Sequence, residues 1–263
     1  MFKKLRSLAG RLFNENQQMK IVMHLSHFYW FLRKYFLSVE IIYPIEFLKN
    51  WSKIKNYSSQ DRERNFTVYQ LIKVHNEIFK GQKTNIIEFG VDRGGTLTTI
   101  AEFVKEETEI FALDSFGFYA DDIKDNVTNH DSHYLGKYKP FTKKTRFKNF
   151  NYLLLEDKLN EILSKKNSRL SVIKCYFPDK IDDKYLQKIA PIKYSFVHID
   201  FDLYKPTLDV IKFITSKLEK NAIILFDDYN FINQEGVKKA IIDSGINLNK
   251  CIQTQSGQLI CYI

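Results

Sequence analysis

Acidic side chains follow two apolar segments in the second half of the chain. Asp200 comes directly after the apolar run 194–199, and Asp227 and Asp228 come directly after the run 222–226. If both runs are parallel strands, their carboxyl ends meet at one edge of the sheet and bring the three carboxylates together. Clustered carboxylates repel one another unless a proton or a cation lies between them. Oxygen ligands without His or Cys favour a hard cation, so we predict a Mg²⁺ site, with Mn²⁺ or Ca²⁺ as alternatives. The competing interpretation is that the acids are solvated or cap helices.

A second candidate site is the glycine-rich turn after Glu88. Gly90, Gly94 and Gly95 permit a tight turn and the close approach of a ligand to the backbone. The GxGxxG spacing of dinucleotide sites is absent, because Asp92 stands at its second glycine. Glu88 would repel a pyrophosphate but suits a ligand with an ammonium and a sulfonium, both of which S-adenosylmethionine (SAM) carries. The turn therefore favours SAM over a nicotinamide cofactor.

A third candidate is Asp114, which ends the next apolar run, 24 residues after Gly90. An acid at this position can accept hydrogen bonds from both ribose hydroxyls of a nicotinamide or SAM cofactor. The alternative is an acid that only caps the end of its strand.

Apolar runs and helical patterns alternate from residue 85 to the end of the chain. The runs that we predict as strands are 85–89, 109–113, 170–176, 194–199, 222–226, 251–254 and 259–263. The predicted helices between them are 96–105, 152–165, 182–189, 207–218 and 234–243. Near-continuous apolar strands separated by helices predict an α/β domain with a mostly parallel, seven-stranded sheet covered on both faces. Only the short turn at Ser256 and Gly257 separates the last two runs, so we expect the last strand to be antiparallel.

Length and charge suggest one catalytic domain with an appendage. The chain has 263 residues, and we predict a basic helical extension over 1–61 and a catalytic domain over 62–263, in which 117–151 form a lid or substrate loop. The net charge is +9, of which residues 1–40 carry +5 and residues 137–149 carry +6, so the rest of the chain carries −2. A nucleic-acid partner is disfavoured, because such proteins usually spread basic charge over their working face.

The two basic segments suggest local roles. Segment 137–149 is interleaved with aromatic side chains and could bind an acidic acceptor such as a nucleotide-linked, phosphorylated or carboxylated sugar. The alternative is a solvated lid. Residues 1–40 could dock as an amphipathic helix on an anionic membrane, cap the catalytic domain or contact a second subunit in a homo-oligomer. They show no signal-peptide pattern, so the expected location is cytoplasmic, with peripheral contact to the inner face of the membrane as an alternative.

The three cysteines, Cys175, Cys251 and Cys261, are far apart and show no metal-ligand spacing. We therefore expect neither a zinc site nor a disulfide framework, and predict free, buried thiols.

Six segments follow one another in a fixed order: 88–96 (EFGVDRGGT), 114–117 (DSFG), 172–179 (VIKCYFPD), 196–207 (FVHIDFDLYKPT), 226–229 (FDDY) and 236–240 (GVKKA). Together they resemble the macrocin and mycinamicin O-methyltransferases, a family of Mg²⁺-dependent SAM enzymes that methylate sugar hydroxyls in antibiotic tailoring. The resemblance covers roughly residues 62–263 and implies a Rossmann-like class I methyltransferase fold. Two departures are Cys175, where the family usually has glycine, and a loop after Asp114 that is longer and more basic.

The resemblance also implies roles for individual residues. The metal ligands would be Asp200, Asp227 and Asp228. The SAM contacts would be Glu88, Gly90, Gly94, Gly95, Thr96, Asp114, Ser115 and Asp179. We expect the metal to lower the pKa of an acceptor hydroxyl and Asp202 to remove its proton, with Asp200 as the alternative base.

Other functions compete with a sugar O-methyltransferase. A non-catalytic binding module with the same fold would be expected to have a broken acidic triad, whereas the triad is intact here. A nicotinamide oxidoreductase is disfavoured by Glu88 and by the absence of GxGxxG. A membrane-docked assembly protein would depend on residues 1–40.

Overall fold

The computed structural model describes residues 43–116, 127–131, 150–231 and 234–263. Within these residues, Ile45–Ile263 belong to one compact unit that contains a seven-stranded sheet. The strand order is β3-β2-β1-β4-β5-β7-β6, in which the first five strands are parallel and β7 runs antiparallel to both of its neighbours. The predicted mostly parallel α/β fold with an antiparallel last strand is confirmed.

The strands are β1 (Thr84–Phe89), β2 (Thr108–Asp114), β3 (Arg169–Lys174), β4 (Tyr194–Ile199), β5 (Leu218–Phe226), β6 (Cys251–Gln253) and β7 (Leu259–Tyr262). The α-helices of the described residues are α1 (Ile45–Tyr57), α2 (Arg62–Ile78), α3 (Gly95–Phe103), α4 (Tyr152–Ser164), α5 (Asp183–Ile189), α6 (Tyr204–Thr215) and α7 (Glu235–Asp243). All seven predicted strands and all five predicted helices are present within a few residues of their expected ends.

The central strands are apolar because both of their faces are covered. Every residue of β4 is buried, and β1 and β2 are buried at all but one or two positions each. Such strands read as continuous apolar runs in the sequence and lack the alternation typical of a half-exposed sheet. Parallel alignment places the carboxyl ends of β1, β4 and β5 side by side, and this edge carries the predicted acids.

Helices α1 and α2 precede the sheet and pack against α3. Phe47 of α1 contacts the rings of Phe66 and Tyr69 of α2 and Phe103 of α3, with centroid distances of 5.2, 5.4 and 6.4 Å. Asp61 caps α2 by accepting a hydrogen bond from the Arg64 amide. The aromatic cluster and this cap together fix the beginning of α2 relative to the first strand-to-helix turn.

The cysteine prediction was wrong for two of the three residues. Cys251 and Cys261 form a disulfide, and only Cys175 is a free, buried thiol. The reason is the register of the antiparallel β6–β7 pair, which places Cys251 directly opposite Cys261. Their separation of ten residues along the chain concealed this pairing in the sequence.

Two predicted segments lie outside the described residues. These are the basic segment 1–40 and the basic segment 137–149, so their membrane, subunit and acceptor contacts stay predictions. Among the residues that the structure describes, no helix combines the length and the apolar character needed to cross a membrane.

His75 lies in α2 at a buried contact with β4. Its Nε2 atom is 2.8 Å from the hydroxyl of Ser195, and that hydroxyl donates to the carbonyl of Asn85 at 3.0 Å. Because the serine proton is used in this way, the serine oxygen accepts from His75, which therefore carries its own proton on Nε2. Removal from water lowers the pKa of His75 to about 4, so the folded protein keeps the ring neutral at neutral pH.

We expect this histidine to make the fold sensitive to acid. The unfolded chain protonates His75 below about pH 6.5, whereas the folded chain does so only near pH 4, so stability falls as the pH drops through this window. In His75→Gln, the loss of unfolding free energy between about pH 7 and pH 4.5 should be smaller by about 2–3 kcal/mol. Urea unfolding of both proteins at both pH values measures this difference. Equal losses in the two proteins would contradict the assignment.

Candidate active site

Backbone hydrogen bonds between neighbouring strand ends position the acids. The Asp200 amide donates to the carbonyl of Phe89 at 2.8 Å, and the Asp227 amide donates to the carbonyl of Ile199 at 3.0 Å. The ladder of the sheet therefore continues one residue beyond β4 and β5 and fixes both aspartates at the same edge. Their positions follow from the parallel register, as the sequence predicts.

Gly90 brings the glycine-rich turn against Asp200. Its φ is +87°, and a Cβ atom at this position would lie 2.0 Å from the Asp200 carbonyl oxygen. Glycine is required here both by the backbone conformation and by the neighbouring strand end. The predicted cofactor turn and the acidic cluster therefore lie in direct contact.

Four aspartates converge at this edge. Carboxylate oxygens of Asp200, Asp202 and Asp228 lie within 4.8 Å of one another. Asp227 adjoins them and is buried, as is Asp228, whereas Asp200 and Asp202 are half-buried. The Asp202 backbone has a φ of +62°, which turns the chain at this point into a conformation uncommon for residues other than glycine.

Two side chains, Gln60 just before α2 and Arg64 in its first turn, lie among the predicted metal ligands. The Nη1 atom of Arg64 bonds Asp227 and lies 3.1 Å from Asp228, while Nε2 of Gln60 lies 3.0 Å from Asp227 and 3.2 Å from Asp200. These two nitrogens thus link all three predicted ligands. Asp200, Asp227 and Asp228 therefore share protein N–H donors at this edge, and their role as metal ligands stays a prediction.

Asp227 is held by the protein on both of its carboxylate oxygens. One oxygen accepts from Arg64 and Gln60, and the other accepts from Nε2 of Gln258 at 2.7 Å and lies 4.0 Å from Nε2 of His198. Although burial opposes its ionisation, the Arg64 and His198 charges keep the pKa of Asp227 below its ordinary value. Asp227 is therefore a carboxylate whose charge is already balanced.

Asp200 and Asp228 are in a different electrostatic state. Removal from water, followed by the negative charges of the neighbouring aspartates, raises the pKa of both groups well above the ordinary value. Arg64 offsets only part of this repulsion. A divalent cation would allow both groups to ionise, and the donor set contains only carboxylate oxygens at this point. The residues present therefore fit a hard cation.

Glu88 and His198 form a buried pair behind the acidic cluster. Oε1 of Glu88 is 3.0 Å from Nδ1 of His198, and both side chains are inaccessible to water. Burial lowers the pKa of His198, but Asp227 and Glu88 outweigh this effect and raise it to about 9. Oε2 of Glu88 is buried without a hydrogen-bond partner. A buried carboxylate oxygen of this kind needs a donor, and the ammonium group of SAM is a suitable one.

Asp114 accepts hydrogen bonds from the backbone of the glycine-rich turn. Its Oδ2 accepts from the amides of Val91 and Asp92 at 2.7 and 2.8 Å, and its Oδ1 accepts from the Phe116 amide at 2.7 Å. Burial raises the pKa of Asp114, and these amides act against that rise. A carboxylate has about four acceptor positions, and the three amides leave about one of them for a ribose hydroxyl. The sequence had suggested hydrogen bonds to both ribose hydroxyls.

The remaining glycines of the turn face protein atoms. A Cβ at Gly94 would lie 2.5 Å from a Leu155 methyl group, and one at Gly95 would lie 2.5 Å from Ser58. Thr96 is buried, and its hydroxyl is 3.4 Å from Oε1 of Gln60. These residues shape the turn through its packing against α4 and the segment before α2.

The last two predicted cofactor residues follow β2 and β3. Ser115 comes directly after Asp114 and is half-buried. Asp179 is exposed, and its carboxylate is 3.4 Å from Nζ of Lys205 at the start of α6. The predicted base, Asp202, accepts a hydrogen bond from Nε2 of Gln234.

Sequence reasoning missed Gln60, Arg64 and Gln258. Arg64 stands in the charged stretch 61–64, which has the pattern of a solvated helix start. The Asp61 cap was a usable signal for where α2 begins, but it does not reveal which side chain turns inward. Only the packing of α1 and α2 brings Gln60 and Arg64 to the sheet edge.

The sequence matches one protein-family model, and the structure matches solved methyltransferase structures. A family model described as macrocin-O-methyltransferase (TylF) matches residues 56–244. The crystal structure of CalS11, a calicheamicin methyltransferase, matches with a TM-score of 0.52 and 18% identity, over 84% of this chain and 94% of that chain. The structure of the O-methyltransferase NovP matches with a TM-score of 0.51 and 15% identity, over 78% and 81% of the two chains. No curated protein matches the sequence.

The contact between Gly90 and Asp200 can be tested by substitution. We expect Gly90→Ala to lower the unfolding free energy by at least about 3 kcal/mol, because a strained backbone and a steric overlap with Asp200 add together. Gly81→Ala is the matched control, since Gly81 has a φ of +73° and no atom within 4 Å of the added Cβ. It should cost only about 1–2 kcal/mol. Chemical unfolding measures both values, and similar losses would show that the overlap is unimportant.

Proposed function

The chain belongs to the macrocin-O-methyltransferase family, and on this premise we propose that it transfers the methyl group of SAM to a sugar hydroxyl in a reaction that depends on a divalent cation. The observation that carries the proposal is the contact between the predicted cofactor turn and the acidic cluster. Gly90 packs directly on the backbone of Asp200, so a methyl donor held by the turn and a hydroxyl held by the cluster would be neighbours. Holding two reactants in a productive orientation removes much of the entropic barrier to their reaction.

We assign the cofactor to the carboxyl ends of β1 and β2. The unpartnered oxygen of Glu88 offers a buried acceptor for an ammonium group, and Asp114 has about one acceptor position left for a ribose hydroxyl. Gly90, Gly94, Gly95, Thr96, Ser115 and Asp179 stay predicted cofactor contacts. Of these, Asp179 is exposed and pairs with Lys205.

We assign the cation, with Mg²⁺ first and Mn²⁺ or Ca²⁺ as alternatives, to Asp200, Asp227 and Asp228. When bound, the cation would lower the pKa of an acceptor hydroxyl. Asp202 then has the role of proton acceptor, because one of its carboxylate oxygens lies within 4.8 Å of oxygens of Asp200 and Asp228 and the residue is half-buried. The mutual distances of the oxygens also permit a second set, in which Asp202 replaces Asp227 as a ligand.

The acceptor is proposed to be a sugar with an acidic group, such as a nucleotide-linked sugar, a surface-glycan precursor or a natural-product sugar. Support comes from the family and from the structural relative CalS11, which is described as a calicheamicin methyltransferase. The charge of +6 in residues 137–149 favours an acidic group on the acceptor.

Calorimetric titration of SAM with and without Mg²⁺ tests the cofactor part of this proposal. SAM should bind in both conditions, and NAD(H) should not compete with it. A screen of methyl transfer from SAM to nucleotide sugars, with and without a chelator, tests the acceptor and the cation. Preferential binding of NAD(H) would overturn the assignment.

Asp200→Asn should separate the two sites. We expect Mg²⁺ affinity to fall at least about tenfold, because a ligand charge is lost from a site that depends on it. SAM affinity should change by less than about twofold, since Asp200 contributes only its backbone to the turn. Calorimetry with each ligand gives both values. A folded variant that binds Mg²⁺ normally but has lost SAM binding would contradict these roles.

Asp227→Asn and Asp202→Asn distinguish the two possible ligand sets. If Asp227 is the third ligand, its substitution should weaken Mg²⁺ binding by about tenfold or more, whereas Asp202→Asn should leave Mg²⁺ binding within about threefold and abolish turnover. The opposite order of Mg²⁺ affinities would assign the third ligand to Asp202 and would leave the proton acceptor to be sought elsewhere.

A further inference from the structure

Arg64 and Gln60 take the place of a cation in the acidic cluster. Arg64 Nη1 bonds Asp227 and Asp228, and Gln60 Nε2 bonds Asp227 and Asp200. Between them, these two nitrogens, both from residues 60–64, reach all three proposed ligands. A divalent ion shared by the same three carboxylates would need the same oxygens.

We propose that Arg64, assisted by Gln60, is an internal counter-cation that holds the three acids together in the metal-free protein and gives way when a divalent cation binds. This inference rests on the proposed metal site. Its basis is charge and geometry: only 8% of Arg64 is exposed, so its charge is poorly screened by water and competes directly with an incoming ion. The competition makes metal binding weaker than the acids alone would allow.

The guanidinium is incompletely satisfied where it lies. Its Nη2 atom is buried without a hydrogen-bond partner. The Arg64 Cζ atom lies over the ring of Phe231, 4.7 Å from the ring centroid. A fully structural arginine in a core normally uses all of its N–H groups, because an unpaired buried donor is costly. The missing partner lowers the cost of moving Arg64 away from Asp228.

The same segment contacts the predicted cofactor turn. Ser58 packs against Gly95, Ser59 Oγ is 2.7 Å from an Asp92 carboxylate oxygen, and Gln60 Oε1 is 3.4 Å from the Thr96 hydroxyl. Release of Arg64 and Gln60 from the acids would therefore alter the contacts that residues 58–64 make with the turn. Metal binding is expected to loosen this segment locally, while the disulfide-bearing edge of the sheet stays unchanged.

The test is Mg²⁺ titration of the 263-residue chain by calorimetry. Arg64→Met removes the competing charge and keeps most of the side-chain volume, so we expect Mg²⁺ to bind about tenfold more tightly than to the wild type. Arg62→Met is the matched control, because Arg62 is on the same helical turn and lies over Trp51. It should leave Mg²⁺ affinity within about twofold. The melting temperature of Arg64→Met without Mg²⁺ should be lower than that of the wild type, and Mg²⁺ should raise it by more.

Two further measurements keep the inference testable if Arg64→Met does not fold. Arg64→Lys retains the charge but lacks the planar guanidinium, so it should bind Mg²⁺ more tightly than the wild type by a smaller factor. In the wild type, Mg²⁺ should increase amide hydrogen exchange in a peptide covering residues 58–66.

Each outcome is decisive. Mg²⁺ affinity that is unchanged or weaker in the Arg64 variants, or exchange at residues 58–66 that stays constant or decreases on Mg²⁺ binding, would overturn the inference and leave the proposed metal site intact. Absence of Mg²⁺ binding in the wild type and in all variants would overturn the metal site and the inference together. Normal SAM binding under those conditions would show that the methyltransferase assignment survives.

Discussion

Repulsion between carboxylates at the edge of the sheet is the constraint around which this part of the molecule is organised. Asp200, Asp227 and Asp228 are brought together by the ends of β4 and β5, and such groups cannot all stay ionised without a positive partner. The structure supplies the positive charge of Arg64, in the first turn of α2, and an N–H donor from Gln60, which precedes that helix. The helices before the sheet therefore contribute to the site itself, in addition to covering the core.

The unequal states of the acids follow from this arrangement. Asp227 receives protein donors on both oxygens and has a lowered pKa, whereas Asp200 and Asp228 have raised pKa values because their repulsion is only partly offset. One more positive charge between Asp200 and Asp228 would relieve the repulsion that remains. In the proposed reaction, the same sheet edge would hold the turn assigned to the methyl donor and the acids assigned to the cation.

Backbone geometry accounts for the closeness of the two parts. Parallel strands end at a common level, and the amide of Asp200 continues the ladder from β1. Gly90 then allows the turn to approach this strand end without a side chain between them. Asp114 supports the turn from the other side by accepting hydrogen bonds from its amides. The turn is thus held by its neighbours before any cofactor binds.

The sequence by itself determined the α/β fold, the order of its strands and helices, and the convergence of Asp200, Asp227 and Asp228. These features depend on local apolar periodicity and on the rule that parallel strands end at the same edge, so they can be read from runs of residues. The pairing of Cys251 with Cys261 could not be read, because it depends on the register of two short antiparallel strands.

Only the tertiary structure decided which groups neutralise the acids. Arg64 precedes Asp227 by 163 residues, and nothing in the charged stretch around it distinguishes a buried guanidinium from a solvated one. Likewise, two of the three amides that donate to Asp114 come from the turn after a different strand. Long-range packing determines these contacts because charge compensation depends on distance through space, and distance along the chain carries no information about it.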